Sequence, residues 1–352
     1  MAQQTTFENL NLLTDDEIAQ LNQLVAEANN IIICCHKSPD GDAIGSSLGW
    51  AEILSSHYGK TAQVIVPDAY PDFLQWIPCS ERIIRYDKHP ERCDLMFQTA
   101  DLVFCLDFNT TSRVAGMEPI LVKSTAKRVL IDHHLNPDVP AILTISHPQM
   151  SSTAELVFRI AWQLGAYENM SRHAAAQIYT GMMTDTGAFT FNSTRPEIYF
   201  MIGQLLAKGI DKDTIYRKVY NNYSAWALRL RGYVIYQKMN YFEDLHASYF
   251  TITRDDMQRF HFKKGDAEGL VNEPLKIKGT RLSISLREDD RVDNLIWVSM
   301  RSIGDLPSNV LCQRYFNGGG HLNASGGRLE CTIEEAEQRV REMLQKEKDL
   351  LK

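Results

Sequence analysis

Long apolar runs are missing from this sequence. A transmembrane helix needs about 20 consecutive apolar residues, whereas the dense early run, from Ile31 to Cys35, contains five. The first residues contain no basic segment followed by an apolar stretch, so we expect no secretory signal. These two absences predict a cytoplasmic protein that does not bind a membrane.

Regularly spaced cysteines are also missing. The seven cysteines are scattered between Cys34 and Cys331, and no pair has the C-x-x-C spacing. This pattern argues against a zinc ribbon and against a thioredoxin-type redox site. Reduced, buried thiols of a cytoplasmic protein are the expected alternative.

The chain has no excess of basic residues. Its net charge is -7. Residues 245–352 contain 17 Lys/Arg and 17 Asp/Glu, which cancel, so the negative charge comes from residues 1–244, which contain 20 Lys/Arg and 27 Asp/Glu. Proteins that hold long nucleic acid by its phosphates are normally basic, so long nucleic acid is not an expected partner. The acidic surplus fits a solvated surface, or a site whose carboxylates are neutralised by metal ions.

The length and the order of elements predict a two-domain α/β protein. A chain of 352 residues exceeds one ordinary core of about 150 residues. Strands alternate with helices in the first part, which predicts a parallel sheet with helices on both faces. Strands are predicted over 31–35, 63–66, 101–107 and 128–132, and helices over 14–28, 44–59, 152–164 and 171–184.

The second part of the sequence has a different pattern. A long helix is predicted from Ser224 to Phe242 as a connector, followed by strands over 249–253, 281–286 and 295–300 with period-two alternation. A capping box at Thr332 predicts a terminal helix. We therefore expect a catalytic domain over 1–220, a helical connector over 221–243 and a smaller α/β substrate-binding domain over 244–352, with the active-site cleft between the two domains.

Three candidate metal ligands follow the first predicted strand. His36, Asp40 and Asp42 lie within seven residues, and Pro39 and Gly41 bend the chain between them. Imidazole with carboxylate oxygens suits Mn²⁺ and, less selectively, Mg²⁺ or Zn²⁺. The alternative is a polar turn in which Asp42 caps a helix.

Further candidates follow later strands and one helix. Asp107 ends an apolar strand, Asp132-His133-His134 ends the next, and Asp185 ends a helix before a Gly-containing turn. Ligands of parallel sheets lie beyond the carboxyl ends of the strands. Each residue alone could be an ordinary cap or turn residue, but together they provide enough ligands for two ions that share Asp107, which is an arrangement used for in-line attack on phosphorus.

A glycine-rich segment in the second part is a candidate anion site. Gly318, Gly319 and Gly320 precede His321 in the run Asn317–Gly327, and backbone N–H groups of a Gly-rich loop can approach an anion closely. Arg301 could add a bidentate contact to phosphate. A flexible turn without a ligand is the alternative.

The ordered set of motifs resembles the DHH phosphoesterase superfamily with its DHH-associated C-terminal domain, and within it the bacterial nanoRNase/pAp phosphatase group. The resemblance runs from about residue 31 to residue 327. It implies two Mn²⁺ ions, one held by His36, Asp40 and Asp107 and the other by Asp42, Asp107, His133 and Asp185, with Asp185 also able to contact the first. It also implies that His134 contacts either the substrate or a metal ligand, and that Arg301, His321 and Gly318 to Gly320 form a substrate clamp. Asn317 departs from the family, because many relatives have a fourth glycine there.

The activity implied is Mn²⁺-dependent hydrolysis of short RNA or DNA oligonucleotides to mononucleotides, of 3'-phosphoadenosine 5'-phosphate (pAp) to AMP, or of both. Asp107, His133, His134 and Asp185 are the predicted catalytic residues. A cyclic dinucleotide phosphodiesterase would use the same ligands, so the sequence leaves it open. A nucleotide sensor without turnover is expected to have lost ligands, whereas each predicted ligand position holds a competent side chain. The resemblance leaves a homodimer open.

Overall fold

The computed structural model describes residues 10–352. The chain forms two compact units that divide between Asn222 and Tyr223. Each unit contains one six-stranded sheet. The predicted α/β fold, with a parallel sheet in the first part and a smaller α/β unit in the second, is confirmed.

The first unit is built on a fully parallel sheet. Its strands are β1 (Ile31–Cys34), β2 (Ala62–Val66), β3 (Ile84–Arg85), β4 (Leu102–Leu106), β5 (Lys127–Asp132) and β6 (Leu143–Ser146). They lie in the order β3-β2-β1-β4-β5-β6. Alternate residues of β1 face two apolar clusters, with Ile31 and Ile33 in one and Ile32 and Cys34 in the other, so both faces of the sheet are buried.

Eight α-helices accompany this sheet within the described part of the first unit. They are α1 (Asp15–Glu27), α2 (Gly41–Tyr58), α3 (Pro90–Thr99), α4 (Glu118–Lys123), α5 (Thr153–Gln163), α6 (Arg172–Asp185), α7 (Pro196–Ala207) and α8 (Lys212–Tyr220). The local signals explain several of their ends. Thr14 and Glu17 form the predicted capping box, Ser152 caps α5, and Gly59 ends α2 in the left-handed region.

The sheet order brings the candidate residues at the strand ends together. β1, β4 and β5 are neighbours, and their carboxyl ends lead into His36, Asp107 and Asp132. Because the strands are parallel, these ends lie at one edge of the sheet. The fold therefore places segments far apart in sequence around a single point.

The second unit contains a mixed sheet. Its strands are β7 (Asn240–Phe242), β8 (Ala247–Ile252), β9 (Leu282–Glu288), β10 (Leu295–Ser302), β11 (Gly319–His321) and β12 (Ala324–Glu330). They lie in the order β11-β12-β10-β9-β8-β7, parallel only between β8 and β9 among the described strand pairs. Its helices are α9 (Ala225–Tyr233), α10 (Arg254–Arg259), α11 (Ser308–Phe316), α12 (Ile333–Lys346) and α13 (Lys348–Leu351).

Two predictions of local structure in the second unit are wrong. The long helix predicted over 224–242 is interrupted, because α9 continues only as a π-helical turn to Lys238 and is followed by β7. Leu230 and Val234 pack with Phe250 on the sheet of the second unit, and β7 pairs with β8, so tertiary packing decides where the helix ends. The glycine run predicted as a loop is partly strand, because Gly319 to His321 pair with β12.

Within residues 10–352, no helix combines the length and the apolar character that crossing a bilayer requires.

Candidate metal centre

Asp107 lies at the centre of a buried cluster of imidazoles and carboxylates. It follows β4 with a left-handed backbone (φ 65°), and its N–H donates to the Ile131 carbonyl, 3.1 Å away. Its Oδ2 is 3.4 Å from Nε2 of His36, and its Oδ1 is 3.6 Å from Nε2 of His133. The two oxygens of one carboxylate therefore face two different histidines.

His36 and Asp40 form the first candidate ligand group with Asp107. His36 Nδ1 lies 2.7 Å from the Lys37 carbonyl, which leaves Nε2 facing Asp40 Oδ2 at 3.7 Å. Burial alone would lower the pKa of His36, but hydrogen bonds to Asp107 and Asp40 outweigh it and raise the pKa to about 10. The two carboxylates thus create a strong demand for positive charge at this point.

Asp42 and His133 form the second group, again with Asp107. The backbone N–H groups of Thr153 and Ala154, at the start of α5, donate to Oδ2 and Oδ1 of Asp42 at 2.7 and 2.8 Å. Burial, and then the nearby charges of Asp107 and Asp185, raise the pKa of Asp42 well above its ordinary value. The N-terminus of α5 and its two N–H hydrogen bonds thus hold Asp42 in place against repulsion from Asp107 and Asp185.

Asp185, the last residue of α6, faces the second group. Its Oδ2 lies 3.4 Å from Nε2 of His133, whose Nδ1 lies 3.3 Å from the Met150 carbonyl. Burial raises the pKa of Asp185 to about 6, against the opposing charge of His133. The Met150 contact fixes the ring of His133 so that Nε2 faces three carboxylates, those of Asp42, Asp107 and Asp185.

His134 is oriented by Asp132, which the sequence analysis named in the Asp132-His133-His134 motif without assigning it a role. Nδ1 of His134 lies 2.8 Å from Oδ1 of the fully buried Asp132 and 3.7 Å from Oδ1 of Asp107. Asp107, Asp132 and His134 form a third group of potential donors. The available signal was an Asp directly before two histidines at the end of an apolar strand.

Thr153 was also missed. Its hydroxyl donates to Oδ1 of Asp107 at 2.9 Å, while its N–H holds Asp42. A threonine one residue after a helix cap carries no signal of this role in the sequence.

Two glycines allow the helices to approach the cluster. A Cβ at Gly45 on α2 would lie 2.5 Å from the Gln177 carbonyl on α6, and a Cβ at Gly181 on α6 would lie 2.9 Å from Oδ1 of Asp42. Only glycine permits such contacts without displacement of the backbone. The close packing of α2 on α6 brings Asp42 and Asp185 to the same point.

The donor set fits divalent cations. The three groups described above all contain Asp107, and the donor atoms within each group lie within 4.8 Å of one another. Hard carboxylate oxygens with imidazole nitrogens suit Mn²⁺, Mg²⁺ or Zn²⁺. Burial, together with repulsion from neighbouring carboxylates, raises the pKa of Asp42 and of Asp185, and a bound cation would stabilise the ionised form of both.

The predicted clamp residues lie together in the second unit. Arg301 on β10 and His321 on β11 are both paired with Ala324 on the strand between them, so they share one row of the sheet. Side chains in one row point to the same face. Nη1 of Arg301 donates to the Met300 carbonyl at 3.0 Å, and the side chain is partly buried.

The glycines of this segment differ in what they require. A Cβ at Gly318 would lie 2.0 Å from the Gly326 carbonyl, and one at Gly320 would lie 2.5 Å from the Ala324 carbonyl, so both are needed for packing. A Cβ at Gly319 would meet no described atom within 4 Å. Asn317 ends α11 in the left-handed region at φ 49°, a position that Asn occupies readily, which explains an asparagine there.

Residues 30–182 match the DHH family, N-terminal domain. The chain is 28% identical over 325 residues to the protein named bifunctional oligoribonuclease and PAP phosphatase NrnA of Thermus thermophilus, with 92% of each chain covered. It is 26% identical over 341 residues to the cyclic-di-AMP phosphodiesterase GdpP of Geobacillus thermodenitrificans, and this match covers 92% of this chain and 48% of that protein.

A solved structure is more similar. The crystal structure of an exopolyphosphatase-related protein from Bacteroides fragilis has 48% sequence identity and a TM-score of 0.91, and the match covers 96% of this chain and 99% of that chain. The motifs, the buried cluster and these similarities agree with one another. The chain belongs to the DHH family of phosphoesterases.

Proposed function

We propose that this protein is a Mn²⁺-dependent phosphoesterase that hydrolyses short oligonucleotides to mononucleotides, pAp to AMP, or both. The observation that carries the proposal is the pair of donor groups that share Asp107. The substrate class is supported by the similarity to proteins named bifunctional oligoribonuclease and PAP phosphatase in Thermus thermophilus and Bacillus subtilis. A cytoplasmic location stays a prediction, and the oligomeric state stays open.

In this proposal, His36, Asp40 and Asp107 hold one ion, and Asp42, Asp107, His133 and Asp185 hold the other. Bound divalent ions supply Lewis acidity, which neutralises phosphoryl charge and makes water more acidic. The chain's own task is to fix the ligands before substrate arrives. Asp107 does so by directing its two oxygens to the two groups, and Asp42 by its bonds to the start of α5.

His134 is proposed to contact the substrate. Asp132, whose Oδ1 lies 2.8 Å from Nδ1, orients the ring, and the proposed contact is between His134 and a phosphoryl oxygen or the leaving ribose oxygen. Arg301 and His321 are proposed to bind the substrate's phosphates by charge and hydrogen bonds, with the backbone of Gly318 to Gly320 beside them.

A cyclic dinucleotide phosphodiesterase is the second candidate, because the chain also matches proteins named cyclic-di-AMP phosphodiesterase. The chain covers 48% of the length of each of these two proteins, whereas it covers 92% of the NrnA proteins of Thermus thermophilus and Bacillus subtilis. The identity is 28% to these two NrnA proteins against 26% and 24% to the two cyclic-di-AMP phosphodiesterases, which favours the first candidate.

A hydrolysis panel tests the proposal. Purified protein with Mn²⁺ is offered pAp, pApA, a short oligoribonucleotide, cyclic di-AMP and pyrophosphate at equal concentration, and products are separated by chromatography. We expect pAp, pApA and the short oligomer to be hydrolysed fastest, with no turnover in excess chelator. Preference for cyclic di-AMP would support the second candidate, and preference for pyrophosphate would contradict both.

A further inference from the structure

A single short segment contacts three of the proposed metal ligands. The carbonyl of Met150 lies 3.3 Å from Nδ1 of His133, and the N–H groups of Thr153 and Ala154 donate to Asp42 at 2.7 and 2.8 Å. The hydroxyl of Thr153 donates to Asp107 at 2.9 Å. A shift of residues 150–154 would therefore disturb His133, Asp42 and Asp107 at the same time.

This segment is held by a buried carboxylate, Glu155, which has no place in the mechanism above. Oε2 of Glu155 accepts hydrogen bonds from the N–H and from the hydroxyl of Ser151, at 2.8 and 2.7 Å. The N–H of Glu155 donates to the hydroxyl of Ser152 at 3.0 Å, and the side chain of Glu155 is fully buried. Glu155 thus fixes the turn that precedes α5 from within the helix.

Two arginines compensate the buried charge. Arg159 donates Nε to Oε1 of Glu155 at 2.8 Å, and Arg195 donates Nη2 to Oε2 at 2.7 Å. A buried carboxylate is costly unless it is paired and hydrogen-bonded. Burial would raise the pKa of Glu155, but the charges of Arg195 and Arg159 outweigh it and lower the pKa.

Arg195 also contacts the segment directly. Its Nη1 lies 2.9 Å from the sulfur of Met150, whose carbonyl faces His133. Arg195 precedes α7, and its side chain is 30% exposed. It therefore ties the start of α7 to both Glu155 and the turn at Met150.

We propose that Glu155, with Arg195, is a positioning residue for the metal centre: it holds residues 150–154 so that His133, Asp42 and Asp107 are preorganised to bind metal. The alternative is an ion pair that stabilises the fold alone. If Glu155 positions the metal ligands, a variant that weakens the fold elsewhere keeps its metal affinity. If the ion pair stabilises the fold alone, such a variant loses as much metal affinity as Glu155→Gln does. The inference rests on the proposed metal site and is independent of the substrate.

The test compares three variants with the wild type in metal-free form. Glu155→Gln keeps the shape and removes the charge, and Arg195→Met removes one partner. Leu205→Ala on α7 is the control, because Leu205 is fully buried in the core of the same unit, and removing its side chain weakens the fold but deletes none of the hydrogen bonds described for residues 150–154. Mn²⁺ alone is titrated by calorimetry, Co²⁺ absorption spectra report the ligand geometry, and thermal melts report stability.

We expect Mn²⁺ affinity to fall about 10- to 100-fold in Glu155→Gln and about 3- to 10-fold in Arg195→Met, with altered Co²⁺ spectra. Leu205→Ala should melt at a lower temperature and bind Mn²⁺ within about twofold of the wild type. If Glu155→Gln does not fold, Arg195→Met decides, since Arg195 is partly exposed.

The proposal is overturned if the folded variants bind Mn²⁺ as tightly as the wild type, or if Leu205→Ala loses as much affinity as they do. A wild-type protein that binds no divalent ion would instead contradict the proposed metal-dependent function, and with it this inference. Tight binding by the wild type without turnover of any nucleotide would contradict the substrate assignment alone.

Discussion

Asp107 combines an unusual backbone conformation with a central chemical position. Its φ of 65° lies in the left-handed region, which Asp and Asn enter more readily than other non-glycine residues. This turn at the end of β4 directs one carboxylate oxygen to His36 and the other to His133. The identity of this residue is therefore constrained by conformation as well as by charge.

Replacement of Asp107 by asparagine separates these two constraints. Asp107→Asn retains the size and the left-handed preference, so we expect a folded protein by circular dichroism. Loss of the shared charge should lower kcat by about 10³-fold or more. Initial rates on pAp with Mn²⁺ check this. Asp107→Ala is the comparison for stability, because alanine in the left-handed region adds about 1–2 kcal/mol of backbone strain. A near wild-type rate for Asp107→Asn would rule out Asp107 as the shared ligand.

Gly319 and Gly318 provide a matched pair of substitutions. The methyl of Gly319→Ala meets no described atom within 4 Å, so the melting temperature should change little. Gly318→Ala places a Cβ 2.0 Å from a backbone carbonyl, so it should destabilise the second unit. If substrate approaches the backbone at Gly319, KM should rise about 10-fold in Gly319→Ala. Steady-state kinetics and thermal melts check both. An unchanged KM in a folded Gly319→Ala would remove this glycine from the proposed clamp.

At the scale of elements, the packing of α2 against α6 positions two carboxylates. Asp42 lies in the first turn of α2 and Asp185 at the end of α6, so the distance between the helices governs their separation. Gly45 and Gly181 allow that approach. The positions of these two carboxylates therefore depend on helix contacts about one turn away from them.

Gly45→Ala should weaken both packing and metal binding. The new Cβ would lie 2.5 Å from the Gln177 carbonyl on α6, and overpacking of this kind costs about 1–3 kcal/mol. We expect a lower melting temperature and a several-fold lower Mn²⁺ affinity, measured by melts and calorimetry. Gly203→Ala on α7 is the control, because its Cβ meets no described atom within 4 Å and helical Gly→Ala changes usually stabilise by about 0.4–1 kcal/mol. Equal effects from the two variants would contradict the role given to close helix packing.

Several elements were predictable because their signals are local. The capping box at Thr14 and the capping serine before α5 act within four residues, and the apolar runs of β1, β4 and β5 mark strands buried on both faces. Weaker elements were missed, such as β3 with two residues and the edge strand β6. Short strands carry too little periodicity to be distinguished from loops.

At the scale of the whole molecule, the charge distribution bears on the length of the proposed substrates. Residues 1–244 carry the whole net charge of -7, and the basic-rich stretch, residues 259–287, has seven Lys/Arg against three Asp/Glu. Part of this stretch is already paired, since Lys276 binds Glu273. Extended basic grooves with stacking aromatics are what hold long single strands.

A preference for short substrates follows from this charge distribution. Initial rates at equal, subsaturating concentration should fall as oligoribonucleotides lengthen from two to about 24 nucleotides, because added phosphates gain little binding. A series of labelled oligomers resolved on gels measures this, with pAp as the reference. Rates that stay level or rise with length would show an extended binding track and contradict the prediction.

The sequence by itself determined the α/β class, the alternation of elements and the residue types at the strand ends, because apolar runs, caps and turns act over a few neighbouring positions. Only the tertiary structure decided how those residues meet. Asp42 is held by N–H groups more than 110 positions away, and Thr153 reaches Asp107 across 46 positions. The roles of Thr153 and of Glu155 with Arg195 likewise depend on contacts between distant segments. Such pairings leave no periodic mark in the chain, so they become visible only when the sheet order brings the segments together.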